Sequence, residues 1–348
     1  MSPYVPTLLL TSLGIGTTIT FASSHWLLAW MGMEINTLAI LPLMTRHHHP
    51  RNVEAATKYF LVQAAGAATL LMAGLTNAWL TGQWDINLIS HPAAVVMATL
   101  ALSLKLGLAP LHTWLPEVLQ GVELDTGLIL STFQKLGPFV LLVQFPSHNQ
   151  ELLVFLAVCS TVVGGLGGLN QTQQDPQVLA YSSTAHLGWM VVVMDYHPGL
   201  ASLYLALYIL MTTTLFLCLM INNTTTLNAL ALSSATTPLL RIMLPLTALS
   251  LAGLPPLTGF LPKLLILEEL VNQDRPFLAL FMGMSSLISL YYYLQIAYTA
   301  AISSPNTITG TIFWRLRRPA PYRILALLFV LSTALLPLAP TLYALFCL

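Results

Sequence analysis

Four ionisable side chains stand in apolar stretches of this sequence, where a charge is costly. Lys105 lies in ATLALSLKLGLAP, Lys135 in GLILSTFQKLGPF and Glu34 in HWLLAWMGMEINTLAILPL, and Lys263 directly follows a Gly- and Pro-rich segment. A charged side chain at the centre of a bilayer costs roughly 3 kcal/mol or more, and such residues mark ion or proton pathways by default. The sequence has only four lysines and three are at these positions, so solubility does not explain them.

The chemistry that suits this set is a proton relay. A lysine amine that is removed from water releases its proton more easily, and a nearby carboxylate favours the protonated form. We therefore expect Glu34 and Lys105 to form a switchable pair, Lys135 to be a central carrier, and Lys263 to be an exit or transfer site. The structural alternative is a static buried ion pair between Glu34 and Lys105 that fixes the helix register.

Two histidines, His112 and His186, are candidates for passing protons between these groups. Imidazole titrates near neutral pH, so it can accept and release a proton under physiological conditions. The alternative for each is a hydrogen-bonded interior side chain without a role in transfer.

The composition predicts a polytopic membrane protein. Of the 348 residues, 56% are hydrophobic and only 7% are charged, whereas about 25% of a soluble protein is charged. The net charge of +0 gives no indication of a nucleic-acid partner. Cys159, Cys218 and Cys347 form no C-x-x-C motif, so we expect neither a metal site nor an iron–sulfur cluster in this chain.

The elements that must position these side chains are interrupted helices. Residues 107–117 read GLAPLHTWLPE and residues 253–263 read GLPPLTGFLPK, so that Gly, Leu and Pro recur at matching places 146 residues apart. Paired Gly/Pro-interrupted hydrophobic segments in two halves of a chain indicate an ion site in a transporter-like fold. Each phrase has a lysine in or beside it, Lys105 at the first and Lys263 at the second.

The hydrophobic pattern predicts an all-α fold with eleven transmembrane helices, since about 20 apolar residues cross the hydrocarbon core. The spans lie at roughly 3–23, 25–44, 55–80, 92–120 (broken), 124–145, 150–171, 177–195, 199–222, 238–271 (broken), 276–301 and 322–345. Five spans per unit is an odd number, so the second unit enters the membrane in the opposite sense. The resulting organisation is a first five-helix repeat (1–146), an inverted second repeat (147–301), and a basic loop with the last helix (302–348).

The arginines predict the orientation of this layout. All arginines except Arg275 fall on the side that holds the N-terminus, which by the positive-inside rule is the compartment where the protein is made. The C-terminus then emerges on the other side. Arg315, Arg317 and Arg318 are candidates for holding an anionic lipid headgroup.

Long strings of the sequence resemble one known family. The segments LLAWMGMEINTLAILPLM, EAATKYFLVQAAGA, LKLGLAPLHTWLPEVLQG, LNQTQ followed by LAYSSTAHLGWM, and LSLAGLPPLTGFLPK closely resemble the chain 2 family of vertebrate mitochondrial NADH–ubiquinone oxidoreductase. These proteins are antiporter-like membrane subunits of respiratory complex I, and the resemblance covers essentially the whole chain. The family's relay residues fall on Glu34 in the EIN motif, Lys105 before GLAPLH, Lys135 in FQK and Lys263 in TGFLPK.

The resemblance implies a place and an energy source for the relay. It implies a multi-pass protein of the mitochondrial inner membrane, with the N-terminus in the matrix and the C-terminus towards the intermembrane space. NADH, FMN, iron–sulfur clusters and ubiquinone would be bound by other subunits of the complex and none by this chain. Its partners would be other membrane subunits, including further antiporter-like ones, and lipids such as cardiolipin.

Two other functions remain open at this level. A stand-alone cation/proton antiporter would use the same inverted repeat and buried lysines, although no cluster of intramembrane aspartates suggests Na⁺ coordination. A structural membrane subunit would hold its neighbours together without carrying protons.

We expect the chain to migrate within a very large, NADH-oxidising band on a native gel of mildly solubilised membranes. The test is to probe that gel for this chain after an activity stain. Migration alone near 37.9 kDa, away from the activity, would contradict the complex I resemblance and favour the stand-alone antiporter.

Overall fold

The structure is a computed structural model that describes most of the chain. The described residues are 4–46, 48–145, 149–170, 175–222, 226, 229, 238–302 and 322–347. Arg315, Arg317 and Arg318, the predicted lipid-headgroup ligands, lie outside the described residues. The chain divides into two compact units, Met1–Cys159 and Ser160–Leu348.

The regular structure of the described residues is helical, as the sequence predicted. The α-helices are α1 Tyr4–Ala22, α2 Trp26–Met44, α3 Pro50–Thr81, α4 Pro92–Leu106, α5 Trp114–Gly121, α6 Leu124–Ser131, α7 Phe133–Gln144, α8 Gln150–Asn170, α9 Asp175–Met194, α10 Pro198–Asn222, α11 Pro238–Ala252, α12 Phe260–Asn272, α13 Pro276–Ile302, α14 Tyr322–Ala334 and α15 Ala339–Cys347. Short 3₁₀ turns lie at Ile86–Leu88 and Leu336–Leu338.

The length and apolar composition of these helices identify them as membrane helices. Within the described ranges, seven segments are long and apolar enough to cross a bilayer, with α6 and α7 counted together as one; the number is eight if α14 and α15, which meet at 62°, form one span. A helix satisfies its backbone hydrogen bonds internally, which the hydrocarbon core requires. The chain is therefore a multi-pass membrane protein; the count of eleven spans and the repeat boundaries stay predictions.

The first Gly/Pro phrase interrupts a helix between α4 and α5. Gly107 adopts φ 81°, a left-handed conformation that ends α4. The N–H of Leu108 donates to the carbonyl of Ser103 at 2.9 Å, five residues back. This is the bond of a Schellman ending, in which glycine takes the positive φ without a Cβ clash. The helix resumes at Trp114.

The second phrase interrupts a helix in the same way between α11 and α12. Gly253 also has φ 81°, and the N–H of Leu254 donates to the carbonyl of Leu249 at 3.4 Å. The helix resumes at Phe260. Each of these residues stands 146 positions after its counterpart in the first phrase, so the repeated letters produce a repeated backbone.

A third interruption lies at Thr132, inside the predicted span 124–145, which the structure confirms as one apolar span over Leu124–Gln144. α6 ends at Ser131 and α7 begins at Phe133. Pro138 lies inside α7, where it lacks an N–H for the carbonyl four residues back and its ring crowds that carbonyl. Lys135 lies three residues after Thr132 and three residues before Pro138, in the first turn of α7.

The segment predicted as the last span, 322–345, is bent in the structure. α14 ends at Ala334, a 3₁₀ turn over Leu336–Leu338 contains Pro337, and α15 continues at 62°. Proline cannot donate the helical hydrogen bond, so it favours a sharp bend.

We expect Gly259→Ala to destabilise the protein strongly. A Cβ at this position would overlap the carbonyl oxygen of Ser250 and lie 3.2 Å from Sδ of Met211, and an overpacked core costs about 1–3 kcal/mol or more. The measurement is the thermal unfolding midpoint and the amount of assembled protein.

Gly283→Ala in α13 is the matched control, because a Cβ there meets nothing within 4 Å. Equal behaviour of the two variants would contradict the close approach of α12 to the end of α11.

Candidate functional site

The lysines singled out in the sequence are all buried beside helix breaks. The exposed fractions are 4% for Lys105, 2% for Lys135 and 7% for Lys263. Lys105 is in the last turn of α4, Lys135 follows the break at Thr132, and Lys263 is in the first turn of α12. Helix breaks are places where unpaired backbone groups can orient charge inside a membrane protein.

Lys105 and Glu34 lie close enough to interact through space without touching. Nζ of Lys105 is buried and makes no hydrogen bond, and the Glu34 carboxylate acts on it electrostatically. Both residues lie in the described part of the chain, and the structure shows no ion pair within 4.0 Å between them. Glu34 is half-buried and accepts a hydrogen bond from Oγ1 of Thr37 at 2.9 Å. The contact that a static ion pair requires is therefore not made.

Lys263 makes the direct contact that Lys105 lacks. Its Nζ donates to the carbonyl of Ala252 at 2.8 Å, which is the last residue of α11. The ammonium also lies 5.9 Å from the ring centroid of Trp189 in α9. A cation at a helix C-terminus satisfies an orphan carbonyl and interacts favourably with the helix dipole.

A tryptophan also donates to a backbone carbonyl at the first break. Nε1 of Trp114, the first residue of α5, donates to the carbonyl of Leu104 at 3.1 Å. Its counterpart in the second phrase is Phe260, which has no N–H to donate. The two side-chain donors serve different carbonyls of the repeat, since Leu104 corresponds to Ser250 and Ala252 corresponds to Leu106.

The two candidate histidines are placed differently. His112 lies in the interruption between α4 and α5, is mostly buried, and forms a hydrogen bond with the backbone of Pro110. His186 in α9 has both ring nitrogens engaged: Nδ1 is 2.9 Å from the hydroxyl of Tyr204, and Nε2 is 3.0 Å from the hydroxyl of Tyr293. One imidazole nitrogen donates and the other accepts, so this arrangement links two hydroxyl groups through one titratable ring.

The predicted residues fall in both compact units. Glu34, Lys105, His112 and Lys135 belong to the first unit, and His186 and Lys263 belong to the second. In the described ranges, no group of three or more His, Cys, Asp or Glu side chains could hold a metal ion.

Several neighbours of these residues were missed by sequence reasoning. These neighbours are the tyrosine partners of His186, the ring of Trp189 near Lys263 and the indole of Trp114. Nothing in the local sequence around them indicated these contacts. The spacing of Tyr204 and Tyr208 by one helical turn was a usable hint, since such residues share a face, and the ring of Tyr208 lies 5.4 Å from that of His186.

We expect the two break lysines to differ in their effect on stability. Lys263→Met should lower the stability by about 1–3 kcal/mol, because it leaves the buried carbonyl of Ala252 without its donor. Lys105→Met should change it much less, because its amine makes no hydrogen bond. The measurement is the thermal denaturation of the purified assembly, and a larger loss in Lys105→Met would contradict these contacts.

Comparisons with known proteins agree with this architecture. The family model described as NADH:quinone oxidoreductase/Mrp antiporter, transmembrane, matches residues 23–289. The model for the NADH dehydrogenase subunit 2 C-terminus matches residues 290–343.

Relatives and solved structures match almost the full length. NADH-ubiquinone oxidoreductase chain 2 of Tetraodon nigroviridis is 56% identical over 99% of both chains, and that of Squalus acanthias is 54% identical over 99% of both. A chain of respiratory complex I from Thermus thermophilus has a TM-score of 0.86 and 28% identity, covering 99% of this chain and 80% of that one. A chain of the Mrp complex from Dietzia shares the fold, with a TM-score of 0.74 and 17% identity over 86% of this chain and 61% of that one. The chain therefore belongs to the antiporter-like family of NADH:quinone oxidoreductase membrane subunits, in its chain 2 branch.

Proposed function

We propose that this chain is a proton-translocating core membrane subunit of respiratory complex I, an NADH:ubiquinone reductase that acts as a translocase. Oxidation of NADH and reduction of ubiquinone take place in other subunits, which also hold the FMN and the iron–sulfur clusters. The single observation that carries the proposal is the pairing of Lys105 and Glu34, a buried amine without a hydrogen bond and a carboxylate that acts on it through space.

The open pairing of Lys105 and Glu34 makes proton release controllable. While Glu34 is ionised, its charge favours the protonated amine; when that charge is neutralised or moves away, the desolvated ammonium loses its support and the proton leaves. A closed ion pair would hold the proton more firmly and would resist this switch. Lys135 then takes the role of the central carrier.

In the second unit, Lys263 and His186 are further groups that bind and release protons. The carbonyl of Ala252 and the ring of Trp189 both favour a charged Lys263. The amine therefore binds a proton readily and releases it only when the geometry of the break changes. His186 can relay a proton between the two tyrosine hydroxyls, provided that each hydroxyl gains a proton on one side as it gives one up on the other, so that neither tyrosine ends with a changed charge.

The organisation that goes with this function is the eleven-helix inverted repeat. We assign 1–146 and 147–301 as the two five-helix repeats and 302–348 as the basic loop with the last helix. The matching helix endings at Gly107 and Gly253 support the assignment. The arginine distribution supports an N-terminus in the matrix and a C-terminus towards the intermembrane space of the mitochondrial inner membrane.

The partners are other membrane subunits of the complex, including antiporter-like ones, and lipids such as cardiolipin. A groove of about 610 Å³ between α11 and α13, lined by apolar residues, two tyrosines and Gln295, supports lipid binding in the second unit. Arg241 lies one turn from Pro245 of this groove and donates from Nε and Nη2 to the carbonyl of Ala301 at 3.2 and 2.7 Å. Its remaining N–H donors suit a phosphate headgroup.

The second candidate function is a stand-alone cation/proton antiporter, because the matching family model covers Mrp antiporters as well. Relatives at 54–56% identity over nearly the whole chain carry the name of a complex I subunit, which favours the first function.

We expect Glu34→Gln to lower proton pumping by about tenfold or more in the purified complex reconstituted in liposomes. A group positioned for proton transfer contributes roughly 10²-fold or more to its step, and the amide removes the charge that controls Lys105. The measurement is proton uptake or release per NADH oxidised, with assembly checked on a native gel.

Glu151→Gln is the matched control, because Glu151 is an exposed carboxylate at the start of α8. Normal pumping by an assembled Glu34→Gln complex would favour the structural subunit. Proton exchange by the isolated chain, outside any NADH-oxidising assembly, would favour the antiporter.

A further inference from the structure

The second half of the first broken helix, α5, is a short element that needs outside support. It has eight residues, too few for a helix to be stable by itself in water. It follows a seven-residue interruption that contains His112, so its position also determines where that side chain lies. Its packing partner is α3, the long helix Pro50–Thr81.

α3 supports both halves of the broken helix. In α4, a Cβ added to Gly66 of α3 would lie only 3.1 Å from Cγ of Lys105, so the lysine stem lies directly on the α3 backbone. In α5, the ring of Trp114 lies 5.8 Å from that of Tyr59 in α3. The distance between the two halves is therefore determined largely by what each of them contacts on α3.

One polar contact ties α5 to α3. Nζ of Lys58 lies 2.8 Å from Oε2 of Glu117 in α5 and 2.9 Å from Oε1 of Glu54 in α3 itself. The side chains are 44%, 56% and 64% exposed, respectively. Lys58 is thus the exposed one of the four lysines, and a single ammonium joins a carboxylate of its own helix to a carboxylate 59 residues away.

Several contacts fix α5 in place. At its start, Nε1 of Trp114 donates to the carbonyl of Leu104 in α4. At the far end, a Cβ on Gly121 would lie 2.7 Å from Cβ of Ala55, which shows that the backbones of α5 and α3 meet closely. The ion pair of Lys58 with Glu117 includes a hydrogen bond and so adds a preferred geometry between α5 and α3. A polar cavity of about 190 Å³, lined by Arg51, Gln120 and the three charged side chains, lies beside the pair.

We propose that Lys58 is a positioning residue for proton transfer, which holds α5 in register on α3 through Glu117 and so places His112 and the break beside Lys105. The inference rests on the proposed function of Lys105 and Glu34. Exposed ion pairs contribute little to stability. The pair of Lys58 and Glu117 therefore changes the fraction of molecules in which α5 is in register on α3, and it does not decide whether the protein folds. Glu54 holds the ammonium over α3 but does not itself reach α5.

The test compares variants that break the tie with variants that keep it, all in the assembled complex reconstituted in liposomes. Glu117→Gln and Lys58→Met break it. Glu54→Gln removes an equally close carboxylate but keeps the link to α5, and Lys58→Arg keeps a cation in place. We expect Glu117→Gln and Lys58→Met to move about two- to fivefold fewer protons per NADH oxidised. We expect Glu54→Gln and Lys58→Arg to move as many as the wild type does. Assembly and NADH oxidation with an artificial electron acceptor should be unchanged in all four.

The pattern among the variants decides the inference. Equal losses in Glu54→Gln and Glu117→Gln would overturn it, because they would show that charge beside the cavity matters and not the link between helices. Failure of Lys58→Arg to pump normally, or wild-type pumping by Glu117→Gln, would overturn it too.

Lys105→Met, measured in the same preparation, separates this inference from the proposed function. If Lys105→Met pumps poorly and Glu117→Gln pumps normally, only the positioning role fails. If Lys105→Met pumps normally, the proposed function fails and the positioning role of Lys58 fails with it.

Discussion

The backbone of an interrupted helix must find hydrogen bonds inside a medium that offers none. Each break in this chain leaves carbonyl groups at the end of a half-helix, and in hydrocarbon these cannot turn to water. At the two Gly/Pro breaks, Schellman turns that end in Gly107 and Gly253 and one side-chain donor per break supply these hydrogen bonds. The placement of the buried amines follows from how each break is satisfied.

The two breaks share a backbone but not a donor, and this asymmetry separates the chemistry of their lysines. At the first break the indole of Trp114 donates to the carbonyl of Leu104, and the amine of Lys105 makes no hydrogen bond and is open to the charge of Glu34. At the second break the amine of Lys263 donates to the carbonyl of Ala252. One lysine is thus controlled by a remote charge, and the other is coupled to the backbone geometry of the break.

The sequence was informative where a local rule decides the outcome. The membrane class, the breaks at the two Gly/Pro phrases and the burial of Lys105, Lys135 and Lys263 followed from hydropathy, from the left-handed preference of glycine and from the scarcity of lysine. The interruption at Thr132 was not predicted, because no glycine or proline stands at that position. The tyrosines around His186 and the ring beside Lys263 were missed because they come from other helices. The hydrophobic periodicity of one helix does not indicate which other helices pack against it.

Gly253 has an importance that its own chemistry does not suggest. Its conformation requires positive φ, and a Cβ there would lie 3.0 Å from Nζ of Lys263. Any larger residue would displace the ammonium from the carbonyl it serves, although no ionisable group had been changed. A substitution at this glycine should therefore disturb the same contact that loss of the Lys263 side chain would remove.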